Sequence, residues 1–427
     1  MSLARTDYPN IDERLYSTEL ENGLRVLVVP RPGFLKKYAF FAANYGGAAR
    51  AFRLDGRRVE TPEGVAHFLE HKLFDMPWGS ALTALSAAGA QPNAYTSDFI
   101  TAYHFECTEG FAENLGTLLE FVSTPYFTAE SVAKERGIIG EEIGMAENEP
   151  NHALYYGLMR SLYERSPVRS SVVGTAESIA RITPEVLTDC HRAFYAPSNM
   201  LLAVVGDVEP ESVAEAARRA LPAERAPVPE PDYGEIEPLS PFERRFSREM
   251  DVSAPQFMIG AKLQPGGGGD ALLRKQLAAA LALRALAGSS SPLYTSMYSE
   301  GLVRSLWNEA DWGPCAAYAV IGGESREPER ALERFCEAAS AVAREGFEPA
   351  AFERCRRAEY GMRLRALGSA PALADTLARG CFAGCDALRA FALLPERAME
   401  DCAAFVREYL RPERLALAVI QPLPRKD

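Results

Sequence analysis

Histidine is scarce in this chain, with five in 427 residues. Cysteine forms no framework: the eight are scattered, and the closest pair, Cys381 and Cys385, lacks the C-x-x-C spacing. The spacing gives no sign of a disulfide scaffold or of a cysteine-built metal site, and free thiols in a reducing compartment are expected. Long apolar runs are absent as well, since no stretch approaches about 18 uncharged apolar residues. The opening MSLARTDYPNIDERLYS has no basic segment followed by an apolar one, so a signal peptide and a membrane span are not expected and the location reads as cytoplasmic. Positive charge is in deficit: 46 Lys and Arg against 58 Asp and Glu give a net charge of −12. That argues against general nucleic-acid binding, which needs basic surface to displace counterions. The glycine run PGGGGD (265–270) lacks the lysine and hydroxyl residue of a phosphate-binding loop and reads as a turn.

What is present suits a folded protein, with 47% apolar and 24% charged residues. Cores stop growing near about 250–300 residues, so two domains are expected. Residues 21–45 read as two strands around a Pro-Gly break, 62–74 as a helix, 91–107 as strand, turn and strand, and 110–123 and 129–149 as helices. ITPEVLTDCHRAFYAPSNMLLAVVGDV (182–208) reads as a helix, a Pro-Ser-Asn break and a buried strand. LLPERAMEDCAAFVREYLRPERLALAVIQPL (393–423) repeats that pattern about half a chain later. Between the copies lies PAERAPVPEPDYGEIEPLSP (222–241), the composition of an extended, exposed linker. The expectation is an α+β protein of two homologous domains, 1–230 and 231–427, each a mixed or antiparallel sheet with helices packed on one side.

Two of the five histidines stand four apart in AHFLEHKLF (66–74), as His67 and His71 with Glu70 between them. On a helix all three share one face. Two neutral imidazoles on adjacent turns can hold zinc, and a carboxylate beside them can take a proton from metal-bound water. The order is H-x-x-E-H, the reverse of the commoner H-E-x-x-H. The same letters would also serve a surface helix with two solvated histidines. A zinc site needs a third protein ligand, for which the glutamates of 129–149 are available. His104, in an alternating strand, reads as a hydrogen-bonded sheet residue, His152 as a loop histidine, and the alanine-rich 277–288 as a core helix.

GVAHFLEHKLF, GAQPNAYTSDFITAYHFEC, ERGIIGEEI and SPVRSSVVGTAESIARITPEVL with FYAPSNMLLAVVGDV together resemble the pitrilysin/insulinase family of zinc metallopeptidases, in order and spacing across the N-terminal half. The likeness is to half-length bacterial members, often found beside a paralogue without the metal motif. The resemblance implies one zinc per chain, with His67 and His71 as ligands and Glu70 as the base that activates water. It implies Glu142 as third ligand and Glu135, seven residues earlier, as an orienting group. Glu141 is the competing candidate; it lies about 100° around the helix from Glu142, and seven residues is nearly two turns, which favours Glu142.

The family's peptide-binding edge strand falls on PNAYTS, so Asn93, Ala94 and Tyr95 are candidate substrate contacts, by strand addition. For Asn93 a plain turn role is the alternative. The second half departs from the pattern. Active members carry an arginine and, seven residues on, a tyrosine; SSPLYTSMYSEGLVRSLW (290–307) offers Tyr298 near the first position and Arg304 near the second. Either Arg304 with Tyr298 or Tyr294 replaces that pair, or a partner subunit supplies it, or activity is weak or narrow. The resemblance thus implies a metalloendopeptidase for extended peptides, acting as a homodimer or as a heterodimer with a zinc-less paralogue. The alternative is a non-catalytic assembly or peptide-binding subunit of such a complex.

Overall fold

The computed structural model describes residues 3–424. The first half of the chain runs β1 (Ala4–Tyr8), β2 (Glu13–Glu19), β3 (Arg25–Pro30), β4 (Lys37–Ala43), the hairpin β5 (Ala51–Leu54) and β6 (Arg57–Glu60), then α1 (Val65–Leu73). A small hairpin, β7 (Asp75–Met76) and β8 (Gly79–Ser80), leads into α2 (Ala81–Ala87), β9 (Gln91–Thr96) and β10 (Thr101–Cys107). Helices α3 (Phe111–Ser123), α4 (Ala129–Glu147), α5 (Pro150–Leu162), α6 (Ala176–Ile179) and α7 (Pro184–Phe194) precede β11 (Met200–Gly206) and α8 (Pro210–Ala220). The second half runs β12 (Arg245–Met250), β13 (Gln256–Lys262), α9 (Gly269–Ala287), α10 (Pro292–Ser299), β14 (Val303–Trp312) and β15 (Ala317–Ser325). It closes with α11 (Pro328–Glu345), α12 (Pro349–Ala366), α13 (Ala370–Phe382), α14 (Ala390–Leu393), α15 (Met399–Tyr409) and β16 (Leu415–Pro422).

The duplication expected from the sequence is visible in the sheets. One is ordered β1-β2-β3-β11-β4-β10-β9 and the other β12-β16-β13-β15-β14. The last five strands of the first match the second strand for strand, including the one parallel pair, β3 with β11 and β12 with β16. The repeated segments are α7 with β11 and α15 with β16. Pro184 starts α7, and the Thr183 side chain caps it by accepting from Val186 N–H, the arrangement that a missing N–H and a fixed φ make favourable.

The chain falls into two compact units. The first comprises the residues up to Ile143, Ser171–Tyr233 and Arg365–Phe382; the second comprises Gly144–Ser170, Gly234–Leu364 and the residues from Ala383 onward. The units therefore differ from the contiguous stretches 1–230 and 231–427 by two exchanged segments, one carrying α5 and one carrying α13. Packing supplies the reason. In the first unit Val26, Val28, Phe41, Tyr103, Leu202 and Val204 form a core with α1, α3 and α7 on one face of the sheet. The alternate residues of the same strands, Phe40, Ala42, Leu201 and Ala203, are buried too, and α13 packs on β4 and β11 with Leu373, Ala374, Leu377 and Ala378 buried. In the second unit α5 packs on β12, β13 and β16. Gly260 of β13 lets Leu158 of α5 in: a Cβ there would stand 2.8 Å from Leu158 Cδ2. Beyond the helices expected on one side, each sheet thus has a helix on the reverse face, which explains why β4 and β11 read as unbroken apolar runs.

Most of 222–241 is exposed and without helix or strand, as linker composition implies. Glu237 is anchored by charge. Its side chain is 5% exposed and pairs with Lys262 Nζ at 3.0 Å, while accepting from the backbone N–H groups of Glu164, Arg165 and Ser166.

Candidate metal centre

The site grows from the start of α1. Gly64 caps that helix at φ +87°, and a Cβ there would stand 2.7 Å from Val173 O, so glycine is required both for its backbone and for its space. Ser178 Oγ donates to Glu63 O at 2.8 Å, tying the 171–178 segment to the same corner. One turn on, α1 presents His67, Glu70 and His71 towards α4, as helical spacing dictates.

The three metal-ligand candidates converge. Donor atoms of His67, His71 and Glu142 all lie within 4.8 Å of one another. His67 Nε2 is 3.4 Å from Glu142 Oε1, and His71 Nε2 is 3.6 Å from Glu142 Oε2. Ligands tetrahedrally placed about 2.05 Å from a zinc ion stand about 3.3 Å apart, so the spacing suits one. His71 Nδ1 meets Glu135 Oε1 at 3.0 Å, which leaves Nε2 as the atom turned to Glu142. His67 Nδ1 is buried and has no hydrogen-bond partner among the described residues. Glu141 is exposed and outside this group.

The carboxylates differ in kind. Glu70 is 7% exposed and accepts from Thr96 Oγ1 at 2.6 Å. Burial raises its pKa above the usual carboxylate range, against the opposing pull of the Thr96 hydrogen bond and the two imidazoles. Glu142 is held below that range, chiefly by its hydrogen bond to His67. Burial pushes Glu135 up, but the His71 hydrogen bond and Lys72 outweigh it and leave it lowered. For His71 burial pushes down, but the Glu135 hydrogen bond and the charges of Glu70, Glu135 and Glu142 together outweigh it and leave its pKa raised. Lys72, 1% exposed, pairs with Asp75 and lies 3.5 Å from Glu135 Oε2. Glu70, Glu135 and Glu142 gathered around two imidazoles, with one lysine for balance, form a setting that a divalent cation complements.

Beside this cluster runs β9, the edge of its sheet. The Ser97 N–H to Ile100 O bond of 2.8 Å closes the β9-β10 hairpin, and the alternation of an antiparallel ladder then turns the backbone groups of Pro92, Ala94 and Thr96 away from β10. Proline at 92 fits, because no donor is needed there. Asn93 is exposed, and its Oδ1 accepts from Ala94 N–H at 2.9 Å. Tyr95 projects from the other face of the strand than Thr96, and its hydroxyl donates to Asp375 of α13.

The remaining candidates each have their own neighbours. Tyr298, on α10 of the second unit, is exposed with its ring stacked on Tyr294 at 5.6 Å. Arg304, on β14, is exposed and sits 3.3 Å from Glu324 Oε2. His104 packs beside the rings of Tyr38 and Phe40, and burial lowers its pKa to about 4. His152 is on the first turn of α5, a helix where a loop was expected. Thr96, Lys72 and Asp375 were not singled out from the sequence. Thr96 had a signal in the period-two alternation of PNAYTS; Lys72 looked like any solvated charge, and Asp375 is 280 residues from its partner.

A fold of two duplicated sheet units, with an inverted histidine motif beside an open sheet edge, defines the class, and the comparisons agree. The family model described as insulinase (peptidase family M16) matches residues 55–176, and that described as the peptidase M16 inactive domain matches residues 181–359. The chain is 36% identical over 430 residues to an uncharacterized zinc protease, YmfH, of Bacillus subtilis, covering 97% of this chain and 98% of that one. It is 33% identical to a crystal structure of an M16-like peptidase from Alicyclobacillus acidocaldarius, with a TM-score of 0.93 over 98% of this chain and all of that one. Pitrilysin shares the fold at 15% identity, with a TM-score of 0.77 over all of this chain and 46% of that one. The chain belongs to the insulinase, or M16, peptidase family. Among the described residues no helix is long and apolar enough to cross a membrane.

Proposed function

We propose that the protein is a zinc-dependent metalloendopeptidase that cleaves extended, unfolded peptides, as in precursor or leader processing or peptide turnover. The observation that carries this is the convergence of His67, His71 and Glu142 on one point, with buried Glu70 beside them and the free edge of β9 alongside. One zinc ion per chain, held by those three residues, would polarise the scissile carbonyl and acidify a water molecule towards a pKa of about 7.

The rest is done by the chain. Glu70 receives the Thr96 hydroxyl at Oε2, which leaves Oε1 to take a proton from the attacking water and pass it to the leaving amine. Its raised pKa brings it closer to neutrality, where a base that must also act as an acid works best. Glu135 fixes the ring of His71 through Nδ1, as carboxylates behind metal-binding histidines do. A peptide adds to β9 by backbone pairing at the Ala94 carbonyl and at Thr96, so the site selects for extension more than for sequence. With its Oδ1 engaged, Asn93 presents Nδ2 as the donor for a substrate carbonyl. Tyr298 and Arg304 are the proposed contacts from the second half. We assign the protein to the cytoplasm, in keeping with its eight free cysteines, and to a dimer with itself or with a zinc-less paralogue.

The test compares the parent with Glu70→Gln for bound zinc and for cleavage of a pool of unstructured peptides. Zinc in both and cleavage by the parent alone supports the peptidase. Zinc in both and cleavage by neither, even with a paralogue added, favours a peptide-binding assembly subunit, a reading supported by the exchanged order of Tyr298 and Arg304. A parent that binds no zinc overturns the site.

A further inference from the structure

An edge strand is bonded to its sheet on one side, so its lateral position depends on its side chains. On β9 those side chains reach two different helices. Thr96 holds Glu70 of α1 at 2.6 Å. Tyr95, on the opposite face, donates to Asp375 of α13, and its ring lies 6.3 Å from that of Phe40. Asp375 is itself fixed by Arg379 Nε at 2.9 Å, one turn along α13.

The helix that carries Asp375 is well anchored. Arg25 of β3 donates to Cys381 O at 2.9 Å and covers the ring of Phe382 at 5.1 Å, and Arg31 reaches Leu367 O at 3.2 Å. Leu373 and Leu377 are buried on the side packed against β4 and β11. The strand proposed to bind peptide is therefore held from behind by a fixed acceptor that comes from the far end of the chain. Asp375 also lies outside both segments matched by the family models.

We propose that Asp375 is a positioning residue for the peptide-binding edge: through Tyr95 it fixes the lateral place of β9, and through Thr96 on the same strand it fixes the direction in which Glu70 presents its carboxylate. This rests on the peptidase reading for its functional consequence, but its structural part is measurable without turnover. A carboxylate acceptor rather than an apolar contact is suited to the task, because a hydrogen bond to a charged group is both stronger and more directional.

The experiment uses the full chain loaded with zinc, as parent, Asp375→Leu, Asp375→Asn and Tyr95→Phe. Amide hydrogen exchange is followed over 91–96, 65–73 and 370–382, alongside zinc content and the kcat and KM for one unstructured fluorogenic peptide. Asp375→Leu and Tyr95→Phe are expected to speed exchange over 91–96 by about tenfold, the loss of one charge-assisted hydrogen bond, with zinc content and exchange over 65–73 unchanged. KM rises by roughly the same factor, and more than kcat falls. Asp375→Asn, which keeps an acceptor oxygen but loses the charge, falls between the parent and Asp375→Leu.

Unchanged exchange over 91–96, faster exchange spread evenly over all three segments with loss of zinc, or an asparagine variant no better than leucine each overturn the proposal. A parent that cleaves no peptide while exchange over 91–96 still responds removes the peptidase reading and leaves the brace standing. Cleavage without that response removes the brace alone.

Discussion

The pair made by Glu237 and Lys262 should dominate the acid stability of the second unit. Both side chains are almost fully buried, 5% and 3% exposed, at 3.0 Å. The Glu237 carboxylate also takes the N–H groups of Glu164, Arg165 and Ser166 at 2.9, 2.8 and 2.7 Å. Burial acts against its charge, but those three donors and Lys262 outweigh it and hold its pKa at about 2. Against about 4.3 unfolded, that difference of about two units corresponds to roughly 3 kcal/mol. The sign follows: a lowered carboxylate stabilises the fold above its unfolded pKa and ceases to as the pH falls through its folded one. This contribution is complete above about pH 5 and is lost towards pH 2.

Glu237→Gln keeps an acceptor for some of the backbone donors but turns an amide N–H towards another and strands the Lys262 ammonium over the Tyr163 ring, 4.9 Å away. Removing one partner of a buried pair costs about 3–5 kcal/mol, the same order as the proton linkage. The expected result, from urea titrations between pH 3 and 8 read by hydrogen exchange of second-unit peptides, is a loss of about 3 kcal/mol at pH 7 and a flatter acid profile. Adding Lys262→Met should restore much of the loss, because no buried charge then lacks a partner. A Glu237→Gln variant within 1 kcal/mol of the parent, about the worth of one ordinary hydrogen bond, with an unchanged acid profile, would refute the reasoning.

Three further outcomes are expected. Glu135→Gln should weaken zinc binding by about 10–100-fold in a chelator competition while the fold stays intact, since it loosens the ring of His71 without removing a ligand. In Thr96→Val, loss of the hydroxyl that opposes the upward shift of Glu70 should move the acidic limb of kcat/KM to higher pH by about one unit; a limb that does not move would mean the hydroxyl does not hold the carboxylate. Gly64→Ala places a Cβ 2.7 Å from Val173 O at φ +87°, so a loss of about 2 kcal/mol or more in unfolding experiments is expected, together with weaker zinc binding.

Much of the fold was legible because local patterns carried it. The helix-break-strand segments ending each half became α7 with β11 and α15 with β16, and the two strands around Pro92–Thr101 became the edge hairpin beside the site. The side-chain site was legible to the extent that spacing on one helix decides which groups share a face, which is why His67, Glu70 and His71 came as a set and Glu142 could be separated from Glu141. Long-range packing left no such trace. Nothing in GSAPALADTLARG says that its helix will lie on the first sheet, because an amphipathic helix fits any apolar face. Glu237 reads as one more acid in a linker, since what buries it is a lysine 25 residues on and three backbone amides some 70 residues earlier. Tyr298 and Arg304 were chosen by position along the chain, and the structure shows one stacked on a neighbour and the other beside Glu324.

The exchanged helices bear on how the chain can be cut. A protease entering the exposed linker near Glu224 would leave a front fragment carrying α5, which belongs on β12, β13 and β16, and a rear fragment carrying α13, which belongs on β4 and β11. Each piece would hold the cover for the other's sheet. A nicked molecule should therefore travel as one particle until denaturant is added. Fragments produced apart should be insoluble alone, each with a bared apolar face, and recover when made together. The sequence has one module's worth of residues on either side of the linker, but the two compact units are not those two halves.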